Sequence, residues 1–358
     1  MRFIFKTRYE QDLQIFRHRV SAGWYAALLV LLLAAPFVIP DYYRSQFVFI
    51  FIYGVCGFGL MLLSGFTGQI SMGHAAFLAV GAYTETILQA KGIPFVVSAP
   101  VAILLSSITG VIIGLPALRL TGIYLAIATL AFGFIVEEIL ARWESLTGGN
   151  SGLTVPGVKL VMNKLDGEIE FYYLCLACVI GAGFVVFNLL RSPTGRAFIA
   201  IRDSEVSAQS MGVNLSAYKT LSFALSAGLT GLAGTLYAHQ IKFISPEQFT
   251  LAVSIEFLMM IVIGGMGSLH GAIFGSIFVI SLPEFIGGIK DYLPQAVAEQ
   301  TGLKSTIFGV IMILFVLFEP LGLYGRWIKI RTYFSMFPLY KKGMFQRQKA
   351  YQKSERMR

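Results

Sequence analysis

Residues 46–64 read QFVFIFIYGVCGFGLMLLS, a stretch without a single charged side chain. At about 1.5 Å rise per residue, a helix of this length reaches across the roughly 30 Å hydrocarbon core of a bilayer. Lipid offers the backbone no hydrogen-bonding partner, so such a run must satisfy its amides internally, as a helix does. The stretch therefore reads as a membrane-spanning helix, and it sets the terms for the rest of the chain.

Working outward, apolar runs of the same kind occupy about 22–40, 70–90, 95–116, 121–141, 171–190, 218–240, 251–267, 269–287 and 303–322. The predicted fold is all-α, a polytopic transmembrane bundle of about ten spans. Composition agrees. With 56% hydrophobic and 13% charged residues, and a mean hydropathy of +0.72, the chain has too little polar side chain to cover a soluble globule. No stretch between the runs approaches the roughly 50 residues that a small soluble domain needs. The expected organisation is an N-terminal segment 1–21, a transmembrane domain 22–325 with a polar loop at 191–217, and a basic tail 326–358. The first apolar run begins near residue 22 and continues through a full span, so a cleavable signal peptide is not expected.

The net charge of +9 does not describe a nucleic-acid surface, because the basic residues gather at the chain ends and in one loop without interleaved aromatics. Orientation accounts for them. With the N-terminus in the cytoplasm, 20 of the 28 Lys and Arg fall inside, as the positive-inside bias requires. Both termini are then cytoplasmic, and the number of spans is even. Trp24, Trp143 and Trp327 fall near span ends, where an indole suits the headgroup level. Cys56, Cys175 and Cys178 all lie in apolar runs and read as buried small hydrophobes, not as a redox motif.

Glycine is spaced for close helix contact: Gly110 and Gly114, Gly267, Gly271 and Gly275, and Gly228, Gly231 and Gly234. Gly264-Gly265-Met266-Gly267-Ser268 could suggest a phosphate loop, but no Gly-Lys-Ser/Thr follows it, so helix packing or a tight turn is expected. No nucleotide-binding motif is present, and ATP hydrolysis by this chain is not expected. Nor does any Ser-His-Asp order, HExxH helix or paired carboxylate on a polar element support enzyme chemistry. No metal or cofactor is expected. Transport is the default for such a chain.

Ionisable groups inside spans are costly, which singles out Glu85, Glu137, Glu138, Glu256, Glu284, His74, His239 and His270. All five glutamates fall in the outer halves of their spans. Either they form an acidic vestibule for a cationic or zwitterionic solute, or they reach the interface or a neighbouring helix; the second is the simpler reading. His74 and His270 have no acid at ligand spacing and read as packing residues.

The polar segment Gly195–Gly212 alternates charge with small apolar residues. Asp203 is placed to cap a short helix, Glu205 suits its first turn, and Gly212 can close it in the left-handed conformation. Val206, Ala208 and Met211 would give it a thin apolar surface, suited to a groove on a partner. A solvated interfacial turn is an equal alternative on physical grounds.

With these residues in view, the chain resembles the membrane permeases of bacterial branched-chain amino acid ABC importers, of the LivM type. The run Gly65-Phe66-Thr67-Gly68-Gln69-Ile70-Ser71-Met72-Gly73-His74-Ala75-Ala76-Phe77 is similar to the family's third-helix signature. In order follow Leu118–Ala126, the outer-loop run Leu146-Thr147-Gly148-Gly149-Asn150-Ser151-Gly152-Leu153, Gly195–Gly212 and Ile263–Ser268. The resemblance spans roughly residues 20–325. It implies a bacterial inner-membrane importer of inverted-repeat architecture, with spans 2–5 and 7–10 as the halves. A second homologous permease subunit, two ABC ATPase subunits and a periplasmic solute-binding protein complete it. Leucine, isoleucine and valine are the implied cargo, with urea, short amides or aromatic and acyl compounds as the alternative.

On this reading Gly195, Arg196, Arg202, Asp203, Glu205, Ala208 and Gly212 belong to the ATPase-coupling loop. Gln69, Ser71, His74, Glu85, Thr129 and Glu256 are candidates for the solute passage. Thr147, Gly148, Gly149, Asn150 and Gly152 form the outer-loop motif, and the loops near 144–160 and 241–250 would receive the binding protein. A stand-alone secondary transporter is the competing class. It would be expected to pair intramembrane charges, and no Lys or Arg lies opposite these glutamates. The basic tail after Pro338 is expected to rest on anionic lipid.

Overall fold

The structure, a computed structural model, describes residues 19–117, 120, 122–159, 167–290, 303–319 and 321–336. The basic residues up to His18, Arg119 and Thr121 of the second motif, Lys164 and the tail after Pro338 lie outside the described residues.

Ten helices fall on the ten apolar runs: α1 Arg19–Val38, α2 Asp41–Leu60, α3 His74–Ala90, α4 Phe95–Ala117, α5 Ile123–Arg142, α7 Glu168–Arg191, α10 Leu215–Ile241, α11 Leu251–Gly264, α12 Leu269–Lys290 and α13 Leu303–Phe318. Seven of the helical segments are long and apolar enough to cross a membrane by length and composition, and shorter apolar helices lie at Ala22–Val38 and Thr306–Phe315. Between the spans lie α6 Glu144–Thr147, α8 Pro193–Asp203 and α9 Glu205–Ser210, and α14 Gly322–Met336 follows the last. The beginning of the expected basic tail is thus the helix α14.

Helices α2, α3 and α10 are largely enclosed by the rest of the bundle, and α3 and α4 pack along α10. Small residues make this possible. A Cβ on Gly234 of α10 would strike the carbonyl oxygen of Leu78, one on Gly81 of α3 would strike that of Gly231, and Gly110 of α4 lies against the Phe223 backbone. Gly264, Gly271 and Gly275 bring α11 and α12 together in the same way. Because lipid is as apolar as leucine, such close backbone contact, and not water exclusion, holds membrane helices together. Gly267 differs: it stands in the turn between α11 and α12 at φ +86, beside Gly265 at φ +110.

Two departures from the sequence reading concern local structure. Span 2 ends in a π-helix, Met61–Phe66, and span 3 becomes helical at His74, four residues later than its apolar run suggests. The intervening backbone turns at Gly68, φ +77, and is anchored by side chains: Thr67 Oγ1 donates to Leu62 O (3.0 Å) and Ser64 Oγ to Gln69 O (2.9 Å). The fold is also not purely helical. At one end of the bundle, strands β1 Leu153–Thr154 and β2 Phe243–Ile244 pair antiparallel, Leu153 opposite Ile244 and Thr154 opposite Phe243. The two loops expected on the outer side are therefore joined to each other. Val155 N donates to Lys242 O (2.9 Å), and Phe95 N at the start of α4 donates to Lys159 O (2.7 Å).

Candidate functional site

At the end of the bundle opposite the β1–β2 pair, α7 runs directly into the segment predicted to meet a partner. Ser192 leaves the helix and Pro193 starts α8, where a missing amide proton costs nothing. Gly195 lies so close to Leu190 that a Cβ would strike its backbone. The buried face of α8 is Gly195, Ala197, Phe198 and Ile201, and Phe198 meets the ring of Tyr218 on α10 edge-on at 6.2 Å between centroids. Arg196 is exposed on the other face.

The α8–α9 junction corrects two details of the sequence reading. Ser204, not Asp203, caps α9, its hydroxyl accepting from Ser207 N at 3.3 Å. Asp203 ends α8 instead, and its Oδ1 accepts from Nε (3.2 Å) and Nη2 (3.1 Å) of Arg202. Ala208 is buried and does not contribute to an outer apolar surface, whereas Val206 and Met211 are 81% and 86% exposed. Glu205 does sit in the first turn of α9, where it pairs with Lys219 at 2.7 Å. Gly212 closes the helix at φ +85, with Val213 N returning to Ala208 O at 3.0 Å, and Asn214 caps α10 through Ala217 N. A groove of about 410 Å³ lies between Glu205, Gln209, Asn214, Leu215 and Lys219. Lys219 is buried, and an ion pair is what makes a buried ammonium tolerable. The segment is a pair of short helices packed on the bundle, not an irregular turn.

Above it, the break between spans 2 and 3 gathers four of the six passage candidates. Gln69 and Ser71 are buried in the break itself. The ring nitrogens of His74 lie 2.9 Å from Ser71 Oγ and 2.8 Å from Ser226 Oγ of α10. Thr129 Oγ1 on α5 accepts from Met72 N (3.0 Å), and Ser254 Oγ on α11 accepts from Ala75 N (3.0 Å). These hydroxyls supply what the start of a buried helix lacks, acceptors for its first free amides.

The other two candidates lie elsewhere. Glu85 is eleven residues from His74, about 16 Å along the helix axis. It is fully enclosed, and its Oε1 receives Gln89 Nε2 (3.1 Å), Ser98 Oγ (2.8 Å) and His239 Nε2 (3.1 Å). Glu256 is half-buried on α11, in electrostatic reach of Tyr53 and Tyr237. Glu137 and Glu138 lie on α5 in a shallow concavity with Phe134, Arg142 and Trp143, where Glu138 bridges to Arg142. His270 packs as expected, 2.7 Å from Tyr25 Oη and stacked on Tyr324.

The outer-loop motif is a chain of tight turns. Thr147 Oγ1 donates to Leu140 O and Trp143 O, while Gly148, Gly149 and Gly152 all take positive φ, at +70, +58 and +69. Asn150 stands exposed between them. Sequence reasoning missed Ser226, Ser254, the bond from Arg202 to Gly65 and the partnership of His239 with Glu85. For the last a signal existed, since both residues stand within about five positions of the same end of their spans.

Comparison with known proteins places these features in a family context. Residues 43–316 match the family described as branched-chain amino acid transport system / permease component. The high-affinity branched-chain amino acid transport system permease protein LivM of Escherichia coli (strain K12) is 33% identical over 322 residues, covering 83% of this chain and 73% of the relative. A probable branched-chain amino acid transport permease protein LivM of Methanocaldococcus jannaschii is 26% identical over 62% of this chain and 67% of its own length. The autoinducer 2 import system permease protein LsrC of Escherichia coli O9:H4 is 24% identical over 72% of this chain and 77% of its own. No solved structure matches.

Proposed function

The chain belongs to the branched-chain amino acid transport permease family, and on that premise we propose that it is a membrane permease subunit of an ABC importer that carries leucine, isoleucine and valine into the cytoplasm. It pairs with a second permease of the same kind to enclose the passage. Separate ATPase subunits hydrolyse ATP, a periplasmic protein delivers the solute, and this chain itself catalyses no reaction. Its place is the bacterial inner membrane, with both termini cytoplasmic, as the distribution of Lys and Arg favours.

The observation that carries the reading is the α8–α9 pair. Two short helices are locked to the bundle by Phe198, Ile201 and the Glu205–Lys219 bridge, yet present Val206 and Met211 outward. An element packed against the bundle on one side, with two apolar side chains exposed among polar ones on the other, suits a groove on an ATPase, and a firm attachment is what lets closure of a partner bias a permease between conformations. At the opposite end, the joined β1–β2 loops offer a firm platform for the solute-binding protein. Glu85 and Glu256, with Gln69, Ser71, His74 and Thr129, are the groups we assign to the neighbourhood of the passage.

The test is reconstitution of this chain with its partner permease, ATPases and binding protein in proteoliposomes. Uptake of labelled leucine should need both ATP and the binding protein, and should yield to valine but not to urea. Uptake by the chain alone, driven by an ion gradient, would make it a secondary transporter and remove the coupling role from α8–α9.

A further inference from the structure

We propose that Arg202 is the positioning residue through which movement of α8–α9 reaches the membrane core, by holding the breaks at the ends of spans 2 and 8 to the docking segment. This rests on the importer reading above and identifies the contact on which coupling depends.

Three observations converge on one guanidinium. First, Nη1 of Arg202 donates to the carbonyl oxygen of Gly65 at 3.1 Å, in the last turn of the π-helix Met61–Phe66. Carbonyls in a final helical turn lack partners within the helix, so this one is free to accept, and a donor carrying a full charge makes the bond stronger than a neutral one. Second, the Arg202 stem lies against Gly68, where a side chain's first carbon would come within 3.1 Å of Arg202 Cγ. Third, Nη1 would stand 3.3 Å from a Cβ on Gly267, in the turn between α11 and α12. That turn is tied back to span 2, since Gly267 N donates to Met61 Sδ at 3.2 Å.

Gly65, Gly68 and Gly267 have no side chains to yield. Arg202 bonds backbone directly at Gly65 and has no side chain between it and the turns at Gly68 and Gly267, so a displacement of α8 is not taken up by an intervening flexible group. Two further donors hold the guanidinium itself, because Nε and Nη2 both bind Asp203 Oδ1 at the end of α8. The guanidinium therefore bonds α8 to one turn, at Gly65, and stands beside a second, at Gly267, which is itself bonded to span 2 through Met61. Short π-helical segments are frequent at functional sites, and the one at Met61–Phe66 leads straight to the Ser71–His74–Ser226 cluster. A lysine has the charge but not the fork.

The experiment uses the full complex with Arg202→Met and Arg202→Lys. Co-purification of the ATPases reports docking, and leucine moved per ATP hydrolysed reports coupling. With Arg202→Met, the ATPases should stay bound and hydrolysis should continue, while solute moved per ATP falls about tenfold, within the usual span of coupling between sites; Arg202→Lys should fall between. Loss of the ATPases would make Arg202 a docking residue, and an unchanged ratio would leave it a surface residue; either overturns the proposal. A second readout does not depend on the solute: the labelling rate of Met266→Cys, in the turn itself, with and without ATP. ATP should change that rate when Arg202 is present and not in Arg202→Met. If leucine is not the cargo, the importer reading is revised, but persistence of the ATP response in Arg202→Met still sinks the relay.

Discussion

His239 Nε2 lies 3.1 Å from Glu85 Oε1, with the His239 side chain 2% exposed and that of Glu85 fully enclosed. The pair joins α10 to α3, and Ser98 adds α4 through the same oxygen. It sits at the end of the bundle where Lys159 N reaches the neighbouring Gln89 Oε1 (3.4 Å), so the outer loop and the core share one polar network. We expect Glu85→Ala to destabilise the permease by about 3 kcal/mol, since it strands buried donors without an acceptor. Glu85→Gln keeps an acceptor oxygen and should cost less than half of that. Melting of the detergent-purified protein measures both, and equal melting temperatures for Glu85→Ala and the parent would mean the network contributes no stability.

The glycine contacts give a sharper contrast. A Cβ on Gly234 meets the Leu78 backbone, which cannot rotate away, whereas one on Gly181 of α7 meets nothing within 4 Å. Gly234→Ala should therefore force α3 from α10 at a cost of about 1–3 kcal/mol or more. Gly181→Ala should be neutral or gain up to about 1 kcal/mol through lower chain entropy. Expression level and melting temperature of the two variants should diverge; similar values would show that α3 and α10 have room to separate.

Val206 and Met211 touch little of their own chain. Replacing both with serine should leave the stability of the protein within about 0.5 kcal/mol of the parent, as surface changes usually do, so the melting temperature should hardly move. Retention of the ATPases on a purification column should nevertheless fall, because a buried apolar side chain at an interface contributes about 1.5–3 kcal/mol. Undiminished retention would place the docking surface elsewhere on the segment.

Much of this architecture could be read from the chain. The ten apolar runs all became helices, and seven of the described helical segments are long and apolar enough to span, because a span needs little more than length and the absence of charge. What escaped was decided by tertiary partners. Asp203 and Ser204 are both good caps, and Ser204 takes the role because Asp203 is still the last helical residue of α8, whereas the backbone is extended at Ser204, as a cap requires. Ala208 faces inward on the same helix whose Glu205 is bridged to Lys219 of α10, a tertiary contact that sequence pattern alone does not reveal. Span 3 started late because Gly68 at positive φ and hydroxyls from other helices, Thr129 and Ser254, hold its entry open. The partner of Glu85 is a histidine, not one of the lysines or arginines that carry charge at neutral pH, and its place on α10 depends on how the helices pack. Glycine spacing announced close contact, but not which helix would supply the opposing backbone.

The last prediction concerns pH. Glu319 follows α13, outside the spans, and its side chain is only 8% exposed. Its Oε2 accepts from Arg326 Nε at 2.7 Å and its Oε1 from Lys329 Nζ at 3.2 Å, so one carboxylate anchors the first turns of α14. The hydrogen bond from Arg326, above all, holds the carboxyl below the usual glutamate range, against the opposing pull of burial; Lys329 adds to it. A depressed folded-state pKa means that the stabilisation is complete above the unfolded value, about 4.3, and disappears as pH falls through the lower, folded value. Attachment of α14 should therefore be unchanged across neutral pH and weaken only in strong acid. Trp327 reports it, its ring 6.2 Å from that of Phe274 on α12. In a Trp24→Phe, Trp143→Phe background its emission should stay constant down to about pH 5 and shift to the red below about pH 4. Glu319→Gln should show the red-shifted emission already at neutral pH and no titration in this range. A titration that survives Glu319→Gln would assign the acid sensitivity to another group and leave α14 held by its apolar contacts.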